Sequence, residues 1–450
     1  MIHVVPLVDS GLGNSSYLVE IGVGRALVVD ASRDLRAVDA AAERCGLRVV
    51  AAADTHLHAD FLSGATRLAV RDGAVVYGSA AGGREFPHTG LEDGDEVDLG
   101  GLTLRAWATP GHTGEHVAYL LADGDRTLGV FTGGSLLVGA AARTDLVSPA
   151  QTEPLARAQY ASLRRLATLP DETPVWPTHG AGSFCSAPPG AERTTTIGRE
   201  KATNPLLAAP DEDAFVGQLL GSLGTFPPYF LRLGELNRRG PALPPVDVAL
   251  SPLTAPQVLA LRAAGAEVVD VRPPADYAAG HIPGSLANTL RPVFATWLGW
   301  LVPDPGTPLV FVRNPDQDPE EIVWQARKIG YDHLVGELAG GVASWVAAGQ
   351  PVATVALLDA GDVDPARVVD VRQASEYADG HLPAARNVEL GALPGVNLPP
   401  GPVVTMCGHG ERATTAASVL ERAGRSDVAV LTAGAEEWAK TTGTGLEASA

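Results

Sequence analysis

Cysteine is scarce in this chain. Its 450 residues include three cysteines, Cys45, Cys185 and Cys407, too few for a disulfide framework and not spaced as a zinc-binding pair. Free thiols are typical of reducing compartments. We expect Cys45 to lie on the apolar face of a helix and Cys185 to be a small buried side chain, with a position in a cleft as its alternative. Cys407 has a different local setting and is the candidate for chemistry.

The chain also has fewer basic than acidic residues and lacks long apolar runs. The chain has 33 Lys and Arg against 52 Asp and Glu, a net charge of −19. Phosphate recognition needs clustered basic side chains, so we expect no nucleic-acid partner and no docking on an anionic membrane. No apolar run approaches the length of a membrane span. Residues 1–8 lack the basic and apolar regions of a signal peptide and are predicted to form a strand. A cytoplasmic location is expected.

An internal repeat divides the second half of the chain. Val268–Arg272 recurs as Val368–Arg372, and four further residues recur at the same offset, namely Tyr277, Gly280, His281 and Pro283 as Tyr377, Gly380, His381 and Pro383. Repeats of this length indicate tandem domains. Each copy alternates strands and helices, which predicts a parallel sheet flanked by helices.

The second copy carries Cys407 at the end of a predicted strand. Residues 403–406 are β-rich, Cys407 opens a glycine-containing loop, and residues 413–423 are predicted to be helical. The N–H groups of such a loop and the N-terminus of the helix favour an anion, here the thiolate, which is the nucleophilic form of cysteine. Arg412 would add positive charge. We expect this polar loop to lie outside the core.

The second copy resembles a rhodanese, a sulfurtransferase domain. The resemblance rests on Val368–Arg372, Glu376–Pro383 and the six-residue loop Cys407–Arg412. It implies that Cys407 and Arg412 are catalytic, with sulfane sulfur carried on Cys407 as a persulfide. It also implies that the substrate is bound by the intervening loop residues, Gly408, His409, Gly410 and Glu411.

Two neighbouring positions limit this resemblance. A tyrosine-phosphatase loop would need an arginine at Ala413, so phosphatase chemistry is disfavoured. In the first copy Arg313 takes the place of Cys407, and its loop carries two acidic residues that would repel anions. We therefore expect the first copy to be inactive and to act as a scaffold or subunit contact.

Histidines occur in three short motifs of the first half. A predicted strand at 49–53 ends in Asp54–Phe61, which contains His56, His58 and Asp60. Thr109–Thr113 contains His112, and Pro177–Gly182 contains His179. Imidazoles and a carboxylate held on loops after strands suit a metal ion.

Together these motifs resemble the metallo-β-lactamase superfamily. The resemblance implies an αββα sandwich whose metal ligands lie on loops at one edge. His179–Ser183 and Ala142–Asp145 are most similar to persulfide dioxygenases, which hold one iron by two histidines and an aspartate. His56 and His112 match those two histidines. Arg143 would contact the anionic part of a thiol carrier, with a surface ion pair as the alternative.

Two positions depart from the superfamily. It has a histidine where this chain has Phe61 and a metal-binding aspartate where this chain has Gly134. The two-histidine, one-carboxylate iron centre therefore lacks its carboxylate, and a dinuclear zinc site lacks two of its ligands. The remaining candidates, which could hold one iron or zinc through three histidines, are His56, His58, His112, His179 and Asp60. We expect the site to be vacant or weakly metallated.

The predicted architecture is α/β and multidomain. It comprises a metallo-β-lactamase-like sandwich at 1–240, a linker at 241–252, an inactive rhodanese-like domain at 253–355 and an active-type rhodanese domain at 356–450. This layout resembles bacterial persulfide dioxygenase–sulfurtransferase fusions. The resemblance implies a homo-oligomer in sulfide and persulfide metabolism whose partners are a low-molecular-weight thiol or persulfide and thiosulfate or sulfite.

We expect sulfur transfer through Cys407 beside a degenerate metal domain. Three alternatives stay open at this point. They are a fully active iron persulfide dioxygenase–sulfurtransferase, a zinc hydrolase of thioesters, and a sulfane-sulfur carrier or sensor.

Overall fold

The computed structural model describes residues 3–185, 192–245 and 249–448. Contacts divide the chain into two units, Met1–Pro245 with Arg327–Gly330, and Val246–Ala326 with Tyr331–Ala450. Within the described ranges, no helix is long and apolar enough to cross a membrane.

The first unit consists of two six-stranded sheets with helices. The first sheet has the order β1-β2-β3-β4-β5-β6 and the second the order β12-β11-β10-β9-β8-β7. The strands are β1 (Val4–Asp9), β2 (Asn14–Glu20), β3 (Arg25–Val29), β4 (Arg48–Ala53), β5 (Val75–Ser79), β6 (Thr89–Leu91), β7 (Glu96–Asp98), β8 (Thr103–Ala108), β9 (Val117–Asp123), β10 (Arg126–Gly133), β11 (Pro174–Pro177) and β12 (Thr195–Thr196). The helices are α1 (Arg36–Cys45), α2 (Ala65–Asp72), α3 (Thr152–Leu166), α4 (Ile197–Thr203), α5 (Glu212–Gly221) and α6 (Phe230–Arg239).

The first sheet is buried on both faces. Leu18 and Val28 pack with α1 and α2, whereas Tyr17 and Leu27 pack with the second sheet, where they meet Tyr119. Successive side chains of a strand point to opposite faces. A strand in a sheet that is covered on both sides therefore needs apolar residues at both odd and even positions. The second sheet is covered in turn by α3 and α5. The predicted αββα sandwich is confirmed.

The helices of the first unit have locally defined ends. Asp211 caps α5 by accepting a hydrogen bond from the Ala214 N–H at 2.8 Å. α3 ends at Leu166. Cys45 is the last residue of α1 and is only partly buried, so its assignment to the core is wrong.

The second unit consists of two five-stranded sheets whose strands pair in parallel. Their strand orders are β13-β17-β16-β14-β15 and β18-β22-β21-β19-β20. If the strands of each sheet are numbered from 1 in chain order, both orders are 1-5-4-2-3. The strands are β13 (Pro252–Leu253), β14 (Glu267–Asp270), β15 (Leu286–Ala287), β16 (Leu309–Val312), β17 (Leu334–Leu338), β18 (Ala356–Leu358), β19 (Val368–Asp370), β20 (Arg386–Asn387), β21 (Val403–Met406) and β22 (Val428–Leu431). The helices are α7 (Ala255–Ala263), α8 (Pro274–Ala279), α9 (Phe294–Leu301), α10 (Pro319–Lys328), α11 (Gly341–Ala347), α12 (Ala374–Asp379), α13 (Glu411–Arg422) and α14 (Ala435–Thr442).

The residues that define the repeat brace each copy internally. In both copies the arginine pairs with the aspartate two positions earlier, Arg272 with Asp270 and Arg372 with Asp370, each at 2.6 Å. Each arginine also donates to the carbonyl of the glycine eight positions later at 2.8 Å. The predicted tandem repeat is confirmed, and its most visible motif is a structural clamp.

Candidate active site and metal centre

Cys407 lies directly after β21 and four positions before α13 begins. β21 is the middle strand of its sheet, so the strand delivers the thiol to the end of the sheet where the loop turns into the helix. Gly410 makes that turn with a φ of 89°, a conformation that favours glycine. The predicted strand–loop–helix around Cys407 is therefore present.

The Cys407 side chain is buried in spite of its polar loop. It is 1% exposed and packs in an apolar cluster that includes Val371, Leu390 and Ala413. The cluster also contains Trp297, which comes from α9 of the first copy. The expectation that this position lies outside the core is wrong, because the thiol packs into the apolar cluster while, within the loop, only His409 is exposed.

Arg412 forms a two-bond ion pair with Glu376. The nitrogen–oxygen distances are 2.6 Å and 2.8 Å, the fork geometry that arginine makes with carboxylates. Burial alone would raise the pKa of Glu376, but the hydrogen bonds from Arg412 lower it below its ordinary value. Two Arg412 nitrogens are thus committed to a carboxylate.

A cavity of about 370 Å³ opens beside the loop. Gly408 and His409 line it, together with four acidic residues, Glu376, Asp379, Glu436 and Glu437. Negative side chains repel anions. A doubly negative substrate is disfavoured on this face of the loop.

Arg313 occupies the corresponding place in the first copy. It follows β16, the strand equivalent to β21, and its guanidinium pairs with Glu337. This copy has an internal ion pair where the second copy has a thiol.

Three histidines converge in the first unit. The possible ligand atoms of His56, His112 and His179 all lie within 4.8 Å of one another. The Nε2 atoms of His179 and His56 are 3.4 Å apart, close to the separation of about 3.3 Å expected for two imidazoles on one tetrahedral metal. The Nδ1 of His112 donates to the Arg143 carbonyl at 2.6 Å. Its Nε2 is buried and has no hydrogen-bond partner among the described residues, so it is available to a metal.

Two of these histidines are held neutral. Burial, followed by the neighbouring histidines, lowers the pKa of His56 well below its usual range, and burial lowers that of His112 to about 3. Neutral imidazole is the form that binds metal. His179 differs, because Cys185 and Asp60 outweigh the effect of burial and raise its pKa. A metal would have to displace a proton from His179.

His58 and Asp60 adjoin that trio but are not members of it. The His58 Nε2 is 3.2 Å from Asp30 Oδ1, and its ring stacks on Phe61 at 4.2 Å between centroids. Asp60 accepts from Asn14 at 2.8 Å and lies 3.3 Å from Nδ1 of His179. The prediction that three histidines of this set could hold one ion stays a prediction; within the set, Asp60 braces His179 and His58 faces a second acidic group.

Two residues near the trio extend the sequence prediction. His116 was missed, although it lies four positions after His112 in Pro-Gly-His-Thr-Gly-Glu-His; its ring stacks on His56 with centroids 5.1 Å apart. Cys185 is fully buried, as expected, and its Sγ is also 4.0 Å from Asp60 Oδ2. Both descriptions offered for Cys185, a buried side chain and a position at the histidine cleft, therefore apply.

The comparisons with known proteins agree with this geometry. The model of the metallo-beta-lactamase superfamily matches residues 9–179, and the model of the rhodanese-like domain matches residues 254–348 and 352–441. The chain belongs to the metallo-β-lactamase superfamily and carries two rhodanese-like domains.

Relatives of the metallo-β-lactamase domain have different activities. Hydroxyacylglutathione hydrolase of Acidiphilium cryptum is 37% identical over 164 residues, which are 36% of this chain and 61% of the relative. The human mitochondrial persulfide dioxygenase ETHE1 is 31% identical over 181 residues, 40% of this chain and 63% of the relative. In both cases this chain spans less than two thirds of the relative's length. A metallo-β-lactamase structure from Staphylococcus aureus is 28% identical, with a TM-score of 0.67, and the match covers 75% of this chain and 99% of that one.

The superfamily's aspartate position is closed in this chain. A Cβ added at Gly134 would lie 2.3 Å from Cδ2 of His112, much closer than two carbons approach without strain. The Gly134 N–H donates to Nε2 of His116 at 3.0 Å. The His112 ring fills the space that a side chain at position 134 would need, so the site is rearranged as well as missing a carboxylate.

Arg143 is buried and held by several partners. It is 2% exposed, pairs with Asp145 at 2.7 Å and 2.8 Å, and donates to the carbonyls of Phe184 and Gly224. The alternative of a surface ion pair is wrong for the guanidinium, because that side chain is buried. These bonds use four of its five N–H donors, and its own carbonyl orients His112.

Proposed function

We propose that this protein is a sulfurtransferase that carries sulfane sulfur on Cys407. The observation that supports the proposal most is the position of this thiol, at the end of the central strand of a rhodanese-like domain and before a helix N-terminus. Backbone N–H groups there stabilise the thiolate and the persulfide anion that replaces it. Thiosulfate is the proposed donor and a low-molecular-weight thiol the proposed acceptor.

The two steps balance in atoms and charge. The Cys407 thiolate attacks the sulfane sulfur of thiosulfate; a sulfur–sulfur bond forms, and the bond to the oxidised sulfur breaks with its electron pair leaving on sulfite. The acceptor thiolate then attacks the outer sulfur of the persulfide. The Cys407 thiolate leaves, and the acceptor departs as a persulfide.

Replacing Cys407 tests this proposal. In Cys407→Ser we expect no thiosulfate-to-thiol transfer and no gain of one sulfur atom on the residue 407 peptide by mass spectrometry. Cys45→Ser is the matched control and should retain full activity, since Cys45 lies in the other unit. Transfer that survives in Cys407→Ser would refute the proposal. Stable persulfidation of the wild-type protein with negligible turnover would identify a carrier or sensor instead.

A second candidate function is metal-dependent chemistry in the first unit. His56, His112 and His179 would hold it, and three histidines with an open position suit a mononuclear zinc or iron site. Such a metal supplies a polarised water or a site for binding a thiol sulfur or oxygen. The buried Nε2 of His112, which has no partner within the described residues, supports this proposal over a vacant site.

Metal analysis of protein purified without added metal or chelator tests it. We expect about one metal per chain, reduced at least tenfold in His112→Ala and unchanged in the control His333→Ala, an exposed histidine of the second unit. Iron would favour persulfide dioxygenase activity, measured as persulfide-dependent oxygen uptake. Zinc would favour thioester hydrolysis, the activity in the name of the Acidiphilium cryptum relative. Protein without metal would refute the three-histidine site.

A further inference from the structure

Part of the first rhodanese-like copy packs into the apolar cluster that contains Cys407 of the second. Trp297 of α9 is 6% exposed and belongs to the same apolar cluster as Cys407. Val293 and Trp300 pack against that cluster, and a Cβ at Gly391 of the second copy would lie 2.3 Å from Nε1 of Trp300. Both copies belong to one compact unit. The segment that leads into α9 thus packs against the cluster that holds the thiol.

Arg291 begins this segment and carries an uncommitted charge. It lies between β15 and α9 and is partly buried. Among the described residues, its guanidinium makes no hydrogen bond and no ion pair. Burial lowers the pKa of Arg291; Glu411 and Cys407 oppose that effect, while Arg412 adds to it. The Arg291 guanidinium therefore lies within electrostatic range of the thiol and both ends of the Cys407–Arg412 loop.

The two arginines near Cys407 are not equivalent. Arg412 is held in a bidentate pair by Glu376, and the cavity on that face of the loop is lined by acidic side chains. An anion approaching there meets the Arg412–Glu376 ion pair and three further carboxylates, those of Asp379, Glu436 and Glu437. The Arg291 guanidinium has no hydrogen-bond partner within the described part of the chain.

We infer that Arg291 of the first copy binds the oxyanion end of the sulfur donor at Cys407 of the second copy. In the thiol's own domain, Arg412 is paired with Glu376. The cysteine-less copy then supplies the cation that binds the substrate. This inference rests on the proposed sulfur transfer. A thiolate and thiosulfate are both anions, so their encounter is opposed by charge repulsion. The guanidinium fork offsets that repulsion and remains paired with the sulfite that leaves.

Steady-state transfer with varied thiosulfate tests the inference. We expect Arg291→Ala to raise the KM for thiosulfate by about 10- to 100-fold, the range for losing a hydrogen bond to a charged group, with the KM for the acceptor thiol unchanged. Arg291→Lys should recover part of the loss, since it keeps the charge without the fork. Arg386→Ala, an exposed arginine of the second copy, is the matched control and should behave as the wild type.

Alkylation of Cys407 tests the inference without any turnover. Iodoacetate is an anion and iodoacetamide is neutral, and both react with the thiolate. The rate with iodoacetate divided by the rate with iodoacetamide therefore reports the electrostatic potential at the sulfur. We expect Arg291→Ala to lower this ratio by about tenfold, the effect of one charge, as measured on the residue 407 peptide by mass spectrometry. If the wild type transfers no sulfur, the proposed function fails while this ratio still tests Arg291. A ratio or a thiosulfate KM that is unchanged in Arg291→Ala would overturn the inference.

Discussion

Restoring the superfamily's aspartate should damage this protein instead of repairing its metal site. The first test is smaller, Gly134→Ala, which adds only the Cβ. That atom would lie 2.3 Å from Cδ2 and 2.8 Å from Cγ of His112. The ring cannot easily yield, because Nδ1 donates to the Arg143 carbonyl at 2.6 Å and the His112 N–H donates to Gln159 at 2.8 Å.

The size of the effect follows from overpacking. Forcing an extra carbon into a packed interior costs about 1–3 kcal/mol, and each kcal/mol lowers the Tm of a domain of this size by roughly 2–4 °C. Gly217→Ala is the matched control: it makes the same substitution inside α5, where no atom lies within 4 Å of the new Cβ. It should stabilise the domain by roughly 0.5–1 kcal/mol, because alanine loses less entropy than glycine in a helix.

Thermal unfolding with iron and zinc analysis distinguishes the outcomes. We expect Gly134→Ala to melt below the wild type and Gly217→Ala at or above it. Gly134→Asp should also melt lower and bind no additional iron, because its carboxylate has to displace His112, itself a candidate ligand. A Gly134→Asp protein that melts like the wild type and gains one iron would show that His112 moves freely, which would refute this reasoning.

Two further predictions concern the rhodanese-like domains. Arg372→Ala leaves Asp370 buried without its partner and should lower the free energy of unfolding of the second unit by about 3–5 kcal/mol. Arg272→Ala should have a similar effect through Asp270, since the same pair is present in both copies. Urea denaturation measures both effects. Glu376→Gln tests stability in acid. The pKa of Glu376 in the folded protein lies below its ordinary value of 4.5. Its carboxylate therefore stabilises the fold above pH 4.5, and this stabilisation is lost as the pH falls through the pKa of the folded state. The Gln variant should therefore lose less stability than the wild type on acidification below pH 4.5, and an equal loss would contradict the ion pair with Arg412.

Local patterns were enough to predict most of the architecture. The predicted strands at 49–53 and 403–406 and the recurrence of Val268–Arg272 as Val368–Arg372 depend on neighbouring residues, and the structure has these elements near the predicted positions. The histidines at 56, 112 and 179 were found because each follows a strand in a turn motif. Parallel and mixed sheets bring the ends of such strands to one edge, so these three predictions did not need the contacts themselves.

The features that the sequence did not predict depend on residues far apart in the chain. The His58 Nε2 lies 3.2 Å from Asp30 Oδ1, 28 positions earlier, and Cys407 shares its apolar cluster with Trp297 of the other copy. No pattern near Cys407 signals a tryptophan that distant. Arg143 likewise bonds a carbonyl 81 positions later.

The amino-acid sequence by itself determined the domain types, the tandem repeat, the thiol at 407 and the three histidines, since each is carried by a short motif with its own local physics. Only the tertiary structure decided which of these groups meet. It closed the space at Gly134 with the His112 ring, committed Arg412 to Glu376 and left the Arg291 guanidinium without a hydrogen-bond partner among the residues that the structure describes. Charges and contacts across the fold are set by packing between segments that are distant in the chain, and no local pattern specifies them.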